Sequence, residues 1–198
     1  VLRADGKIFV ISGPSGSGKT TLAQMALKDP ALRGLLCRSI SFTTRPRRTG
    51  ERDKRDYFFI SEAEFTRKRK AKKILEWTTY LGYYYGTDKG FVEDRLRRFR
   101  GIILCLDVAG ALRLKRMYPR RAVIVFVKPP SLKELRRRIR ARSRSTTEAE
   151  IVRRMAIAKE EIKQARLYDY RLVNRDLKKA IERLTKIVRL NLPDNDKD

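Results

Sequence analysis

Residues 13–20 read Gly-Pro-Ser-Gly-Ser-Gly-Lys-Thr, and they follow directly on the apolar run Ile8-Phe9-Val10-Ile11. The run has the length and the β-branched, aromatic character of a buried strand, and Gly13, Gly16 and Gly18 end it. Helical sequence resumes at Lys19 and continues to Leu27, before Asp29-Pro30 stops it. Strand, glycine loop and helix in that order open a parallel α/β sheet, and the loop has the spacing G-x-x-x-x-G-K-[ST]. Its glycines admit backbone angles closed to other residues, so successive N–H groups can turn inward around a phosphate. Lys19 then reaches the outer phosphates, and the Thr20 hydroxyl is a magnesium ligand. The dipole of the following helix favours the same anion. The motif predicts a site for a nucleoside triphosphate.

Composition limits what surrounds this site. The 198 residues are 41% apolar and 36% charged, which suits one globular domain with small insertions. No apolar run approaches membrane-spanning length, and the first residues lack the hydrophobic segment of a signal peptide. A cytoplasmic protein with no membrane partner is therefore expected. Cys37 and Cys105 are too few and too far apart for a metal site, and they read as free buried thiols in a reducing compartment. The chain has no histidine, which excludes imidazole as base or ligand and favours a reaction with little proton transfer. Lys and Arg number 49 against 23 acidic residues, a net charge of +26 that attracts anions from nucleotides to nucleic acid. The densest run, Arg67-Lys68-Arg69-Lys70-Ala71-Lys72-Lys73, lacks interleaved aromatic residues for base stacking. It reads as a solvated face, so nucleic-acid contact is not favoured. Nothing in the sequence fixes an oligomeric state.

Beyond the first unit, strand-like runs alternate with amphipathic stretches. Residues 37–42 alternate as one strand, Tyr57–Ile60 forms another, and Ile74–Tyr85 is a hairpin interrupted at Gly82. Asp88–Phe99 is helical and Ile102–Leu106 is a central strand ending in Asp107. A helix from about Ala111 stops before Pro119, and Ala122–Val127 is the next buried strand. Ser61-x-x-Glu64, Ser131-x-x-Glu134 and Thr147-x-x-Glu150 are capping boxes that open helices. The helix after Thr147 carries Ile151, Met155, Ala158, Ile162 and Ala165 at heptad-like spacing. Leu172-Val173 is a last strand and Leu177–Leu190 a last helix. The order predicts a core sheet, an inserted β-rich region, and helices around an Arg-rich break.

The stretch Ser41-Phe42-Thr43-Thr44-Arg45-Pro46-Arg47-Arg48-Thr49-Gly50-Glu51 is more specific than the phosphate loop. With Asp56-Tyr57, Leu75-Glu76-Trp77, Tyr84-Tyr85-Gly86-Thr87 and Tyr168-Asp169-Tyr170, it closely resembles guanylate kinase from Ile8 to about Val188. The resemblance implies a P-loop three-layer α/β fold with a central parallel sheet, and one domain over 1–198. Its core is about 1–36, 88–130 and 156–190, its GMP-binding region about 37–87, and its helical lid about 131–155. It implies magnesium-dependent phosphoryl transfer from ATP to GMP, and to dGMP. Gly13, Pro14, Ser15, Gly16, Ser17, Gly18, Lys19, Thr20, Thr21 and Asn174 correspond to ATP-binding positions, with Thr20 on the metal. Arg45, Arg48, Tyr57 and Tyr85 correspond to the clamp on the GMP phosphate, and Ser41, Glu76 and Thr87 to the positions that read guanine. Glu51 and Asp107 complete the GMP set. Lys19, Arg138, Arg142 and Arg154 correspond to catalytic positions, the arginines closing from the lid over the ATP phosphates.

The residue chemistry agrees with these assignments. Guanine offers an N1–H and an exocyclic amine as adjacent donors, and one carboxylate such as Glu76 accepts both. Adenine has no such pair on that edge, and a buried carboxylate left unpaired costs about 1–3 kcal/mol. Planar guanidinium groups match phosphate oxygens in geometry as well as charge. With a second phosphate pKa of about 6, the acceptor oxygen is already anionic at neutral pH, so no general base is needed. Taken singly, Arg45 and Arg48 read as solvated arginines, Arg138 as an i,i+4 partner of Glu134, and Asn174 as a turn residue. Their joint order is what sets them apart. The chain departs from the family pattern at Cys105-Leu106-Asp107, where Asp-x-Asp is usual, and at Asn174-Arg175-Asp176, where Asn-Asp-Asp is usual. The lid loop between Arg142 and Ile151 is also one residue longer than typical. Two other classes compete. A guanylate-kinase-like binding module typically has a degraded phosphate loop, whereas Lys19 and Thr20 are intact here. A basic nucleic-acid-binding protein without kinase activity rests on charge alone.

Overall fold

The computed structural model describes residues 6–141 and 147–193. The chain begins with β1 (Lys7–Ser12), α1 (Lys19–Ala26), β2 (Leu36–Arg38), β3 (Ser41–Thr43) and β4 (Phe58–Phe59). Next come α2 (Glu62–Lys70), β5 (Ile74–Tyr80), β6 (Tyr83–Asp88), α3 (Lys89–Arg98), β7 (Gly101–Cys105) and α4 (Val108–Met117). It ends with β8 (Ala122–Lys128), α5 (Leu132–Ala141), α6 (Glu148–Lys163), β9 (Tyr170–Val173) and α7 (Leu177–Asn191).

Apolar runs without polar alternation need cover on both faces, and the central sheet provides it. Its order is β2-β7-β1-β8-β9, every pair parallel, with Val10 opposite Leu104 on one side and Ile124 on the other. Phe9, Ile11, Ile103 and Val125 pack under Leu22 of α1 and Leu184 and Val188 of α7. The alternate residues Ile8, Val10, Ile102 and Ile124 pack under Val92 and Leu96 of α3 and Ala111 and Leu114 of α4. This is the three-layer α/β/α arrangement expected from the sequence. The β1 strand lies between β7 and β8, so the crevice beyond their carboxyl ends is the natural ligand site of such a sheet.

A second sheet, ordered β4-β3-β6-β5, stands beside the first. The β5–β6 hairpin turns at Leu81 and Gly82, both with positive φ, as a two-residue turn that matches strand twist requires. Phe65 of α2 is buried against this sheet and stacks on Tyr84 at 5.2 Å. The two helices flanking residues 142–146 meet through Leu135, Ile139, Ile151 and Ala158. Arg136 and Arg140 both reach Glu148, so these arginines tie α5 to α6 rather than standing merely in solvent.

Four expectations need correction. Residues 37–42 are not one strand: β2 belongs to the core sheet and β3 to the second sheet, and the chain changes sheet at Ser39-Ile40. The helix expected from Ala111 starts at Val108, because Asp107 caps it by accepting the Gly110 N–H at 2.7 Å. The buried seam of α6 runs through Ile151, Arg154, Ala158 and Glu161, while Met155 and Ile162 are half-buried. Both cysteines are free but only half-buried.

Asp176 caps α7 by accepting the Lys179 N–H at 2.9 Å. Asp176→Ala should lower stability by about 0.5–2 kcal/mol in urea unfolding, and Asp176→Asn should leave it nearly unchanged. Equal losses in both variants would contradict a capping role.

Candidate active site

A cleft of about 670 Å³ opens at the carboxyl ends of the core strands and runs to the second sheet. At one end lies the phosphate loop. Helix α1 has no capping side chain at its start, unlike α2, α3, α4, α6 and α7, which are capped by Ser61, Asp88, Asp107, Thr147 and Asp176. Its first N–H groups are therefore available to an anion. The Lys19 ammonium donates to the carbonyls of Gly13 at 2.5 Å and Pro14 at 2.9 Å, and Thr20 and Thr21 are exposed at the cleft floor. Asn174 is buried behind the loop, where its amide donates to the Ser17 carbonyl at 2.8 Å. It is a strut of the phosphate loop as well as a cleft-lining residue, not a plain turn residue. Pro14 and Ser17 are buried and do not line the cleft.

The other end is built on the second sheet. Strand register sets Ser41 opposite Thr87 and Thr87 opposite Glu76, so the three residues lie abreast across β3, β6 and β5. Glu76 is buried and accepts the Thr87 hydroxyl at 2.6 Å through Oε1. Its Oε2 lies so close to the first turn of α4 that a Cβ on residue 110 would sit 2.7 Å away, which is why Gly110 is there. Burial pushes the Glu76 carboxyl up to about 7, assisted by Asp107 and opposed by the Thr87 hydrogen bond and the Arg113 charge. Thr87 stands behind Glu76 and does not itself reach the cleft wall.

Next to Glu76 in the cleft lining are the two arginines. Arg45 is buried, forms a two-oxygen contact with Glu51 at 2.8 Å, and lies 5.6 Å from the Tyr57 ring centre and 5.8 Å from that of Phe59. Glu51 Oε2 also accepts the Arg48 backbone N–H at 2.9 Å. Glu51 thus orients the arginines and does not line the cleft. Burial works against the Arg45 charge, but Glu51 and the Tyr85 phenol outweigh it and hold the guanidinium above its ordinary value. Tyr57 and Tyr85 meet edge-on at 6.0 Å, and both line the cleft with Arg48.

From the lid side, Arg138 lines the cleft while Glu134 holds its Nε at 2.8 Å, so the ion pair and the cleft position coexist. Arg154 is buried and bonded to Glu150, with Ser15 of the phosphate loop 3.5 Å away. It lines a neighbouring pocket with Arg45, Arg48 and Tyr85. Arg142 lies outside the described residues. Asp107 lines the cleft beside the end of β7, next to Cys105, whose thiol burial pushes up.

Tyr80 and Glu161 are among the cleft residues that the sequence did not assign to the site. Tyr80, at the end of β5, lines the cleft together with Ser15 of the phosphate loop. Glu161 of α6 is buried and lines the cleft with the phosphate loop, and burial pushes its carboxyl up to about 7 against the Lys19 charge. The 3-4-3 spacing of Ile151, Arg154, Ala158 and Glu161 was the signal that would have revealed it.

A family model described as guanylate kinase matches residues 5–191. The chain belongs to the guanylate kinase family. A guanylate kinase of Symbiobacterium thermophilum is 43% identical over 184 residues, which cover 92% of this chain and 84% of the relative. One from Thermotoga maritima is 41% identical over 184 residues, covering 93% and 86%. The crystal structure of guanylate kinase from Anaplasma phagocytophilum matches with a TM-score of 0.80 at 30% identity, covering 98% of this chain and 90% of that one. Like them, the chain is a nucleoside monophosphate kinase, and its fold is the P-loop kinase fold.

The elevated carboxyls of this guanylate kinase make its stability depend on pH. Between the ordinary 4.5 and about 7, the folded chain binds more protons at Glu76 and Glu161 than the unfolded chain does. Their contribution to stability is therefore full below that window and lost as pH rises through it. The lowered carboxyls Asp56, Glu134 and Glu148 act at more acidic pH, with the opposite sign. Melting of the ligand-free protein from pH 5 to 8 should lose more stability in the parent than in Glu76→Gln/Glu161→Gln; matching slopes would contradict these assignments.

Proposed function

We propose that the cleft carries out phosphoryl transfer from ATP to GMP, and to dGMP, through the residues named below and with magnesium. The supporting observation is the single cleft in which a phosphate loop faces a pair of oriented arginines and a buried carboxylate. The ATP phosphates lie on the loop from Gly13 to Thr21, with Lys19 at the outer phosphates and Asn174 supporting the backbone. The GMP phosphate is taken by Arg45, Arg48, Tyr57 and Tyr85. Guanine is read by Glu76, whose free lone pairs accept the N1–H and the amine, with Ser41 and Thr87 beside it.

The donor set fits magnesium. Thr20 offers an exposed hydroxyl and Asp107 a carboxylate in the same cleft, and among the described residues no group of three His, Cys, Asp or Glu could hold a metal by itself. A small hard cation then takes most of its ligands from phosphate and water, as magnesium prefers. When bound, it neutralises charge on the outer phosphates. The chain supplies the rest of the neutralisation. Lys19 and Arg138 line the cleft and Arg154 reaches the loop at Ser15, Arg142 is assigned with them from the sequence alone, and the acceptor oxygen needs no base. Arg154 reaches Ser15, which couples the lid to the loop, and Tyr80 of the acceptor sheet lines the same cleft. The division into core, GMP-binding region and lid follows the two sheets and the α5–α6 pair, with the core running to Arg38. The free thiols fit a reducing cytoplasm.

A coupled assay with ATP, magnesium and GMP, dGMP, AMP, UMP or CMP tests the reading. GMP and dGMP should be converted to diphosphates, and failure with every acceptor would refute it. Glu76→Ala should reduce preference for GMP over AMP by about 1–3 kcal/mol, roughly 5- to 150-fold, and leave ATP binding unchanged. Arg138→Ala should lower kcat by roughly 100-fold or more while nucleotide affinities change only a few-fold. A variant with weak nucleotide binding and full kcat would contradict a role in transfer.

A further inference from the structure

Glu161 has no part in the mechanism above, yet its surroundings point to one. It lines the cleft with the phosphate loop from α6, is only 8% exposed, and its buried Oε2 has no hydrogen-bond partner among the described residues. Packing does not require a carboxylate there, since Ile151 and Ala158 fill the same seam with apolar groups. A buried carboxylate oxygen without a hydrogen-bond partner is costly, so its presence suits a ligand that pairs with it. The end of β7 across the cleft offers only Cys105, a half-buried thiol. A neutral thiol is a poor partner for a hard divalent cation or its water. The oxygen groups that line the cleft there include the Thr20 hydroxyl and the Asp107 carboxylate. One of the Asp107 oxygens is already committed to the Gly110 N–H.

We propose that Glu161 is a positioning residue for the divalent cation, its Oε2 accepting a hydrogen bond from the water shell of the magnesium that accompanies the triphosphate. The inference rests on the ATP-dependent kinase reading. Contact through water follows from the chemistry of magnesium, which keeps several waters, and from the want of a direct three-ligand cluster among the described residues. The charge of Glu161 then acts in two opposite ways. Toward metal-free ATP it is a like charge that weakens binding. Toward ATP with magnesium it is an acceptor that strengthens binding. A residue that merely held α6 in place would move both affinities in one direction.

The test is calorimetric titration of the whole protein with ATP, once with magnesium and once with EDTA. For Glu161→Gln, affinity for magnesium–ATP should fall about tenfold or more, the range for loss of an outer partner of a metal site. Affinity for metal-free ATP should rise. In parallel, manganese bound to the protein–ATP complex, followed by the paramagnetic resonance of the free ion, should show a midpoint about tenfold higher in the variant. If Glu161→Gln does not fold, Glu161→Asp is titrated in the same way and should give a smaller manganese shift of the same sign. Affinities that move together, or a manganese midpoint that does not move, overturn the inference. A parent protein that binds no ATP would instead refute the kinase reading, whatever residue 161 does.

Discussion

Gly13 passes so close to β8 that a Cβ built on it would lie 2.4 Å from the Val127 carbonyl oxygen, and its φ of +135° is closed to other residues. That contact wedges the phosphate loop against the end of the parallel sheet, and much of the remaining architecture serves to hold it there. Asn174, just beyond β9, supports the loop from behind through Ser17, and Tyr168 fixes the last residue of β1 by donating to the Ser12 hydroxyl at 2.9 Å. The two apolar faces of the sheet keep β1 from shifting register. An anion site made of backbone N–H groups works only if the backbone is rigid before the ligand arrives. Here a buried sheet supplies the rigidity.

The acceptor end solves a different problem with different means. The base recognition proposed for Glu76 requires a carboxylate shielded from water, and β5 carries it between Thr87 and the first turn of α4. Phosphate recognition requires charge that stays ionised although half-enclosed, and Glu51 does this for Arg45. Both devices place polar groups where burial alone would disfavour them, and in both a neighbouring oxygen or guanidinium limits the cost. Lid arginines already paired with Glu134 and Glu150 are oriented by carboxylates in the same manner. The net charge of +26 does not enter this logic directly. Lys68 and Arg69 of the basic run lie over the rings of Phe42 and Trp77, which the sequence alone could not place beside them.

The phosphate loop, the capping boxes and the hairpin were legible in the sequence because each depends on residues close together in the chain. The split between β2 and β3 was not, since alternation over 37–42 looks the same whether the strand joins one sheet or two. Asp107 read as the end of a strand because the cap geometry appears only once α4 turns back. Glu161 was hidden among the charged residues Lys159, Glu160 and Lys163. The choice of Met155 and Ile162 as the buried seam followed apolarity, whereas the fold buries Arg154 and Glu161 at the same period. Polar residues on a buried helical stripe were the clue, and their cause is the cleft that α6 borders.

The central claim is that one cleft grips a triphosphate and a guanine mononucleotide at facing ends. Binding of a dinucleotide with adenosine and guanosine joined by five phosphates tests it most directly, by titration against ATP, GMP and the diadenosine counterpart. If both ends are engaged together, linkage should raise affinity roughly 100-fold or more over either mononucleotide, and the mixed compound should exceed the diadenosine one. A mixed dinucleotide that binds no better than ATP alone would contradict the account.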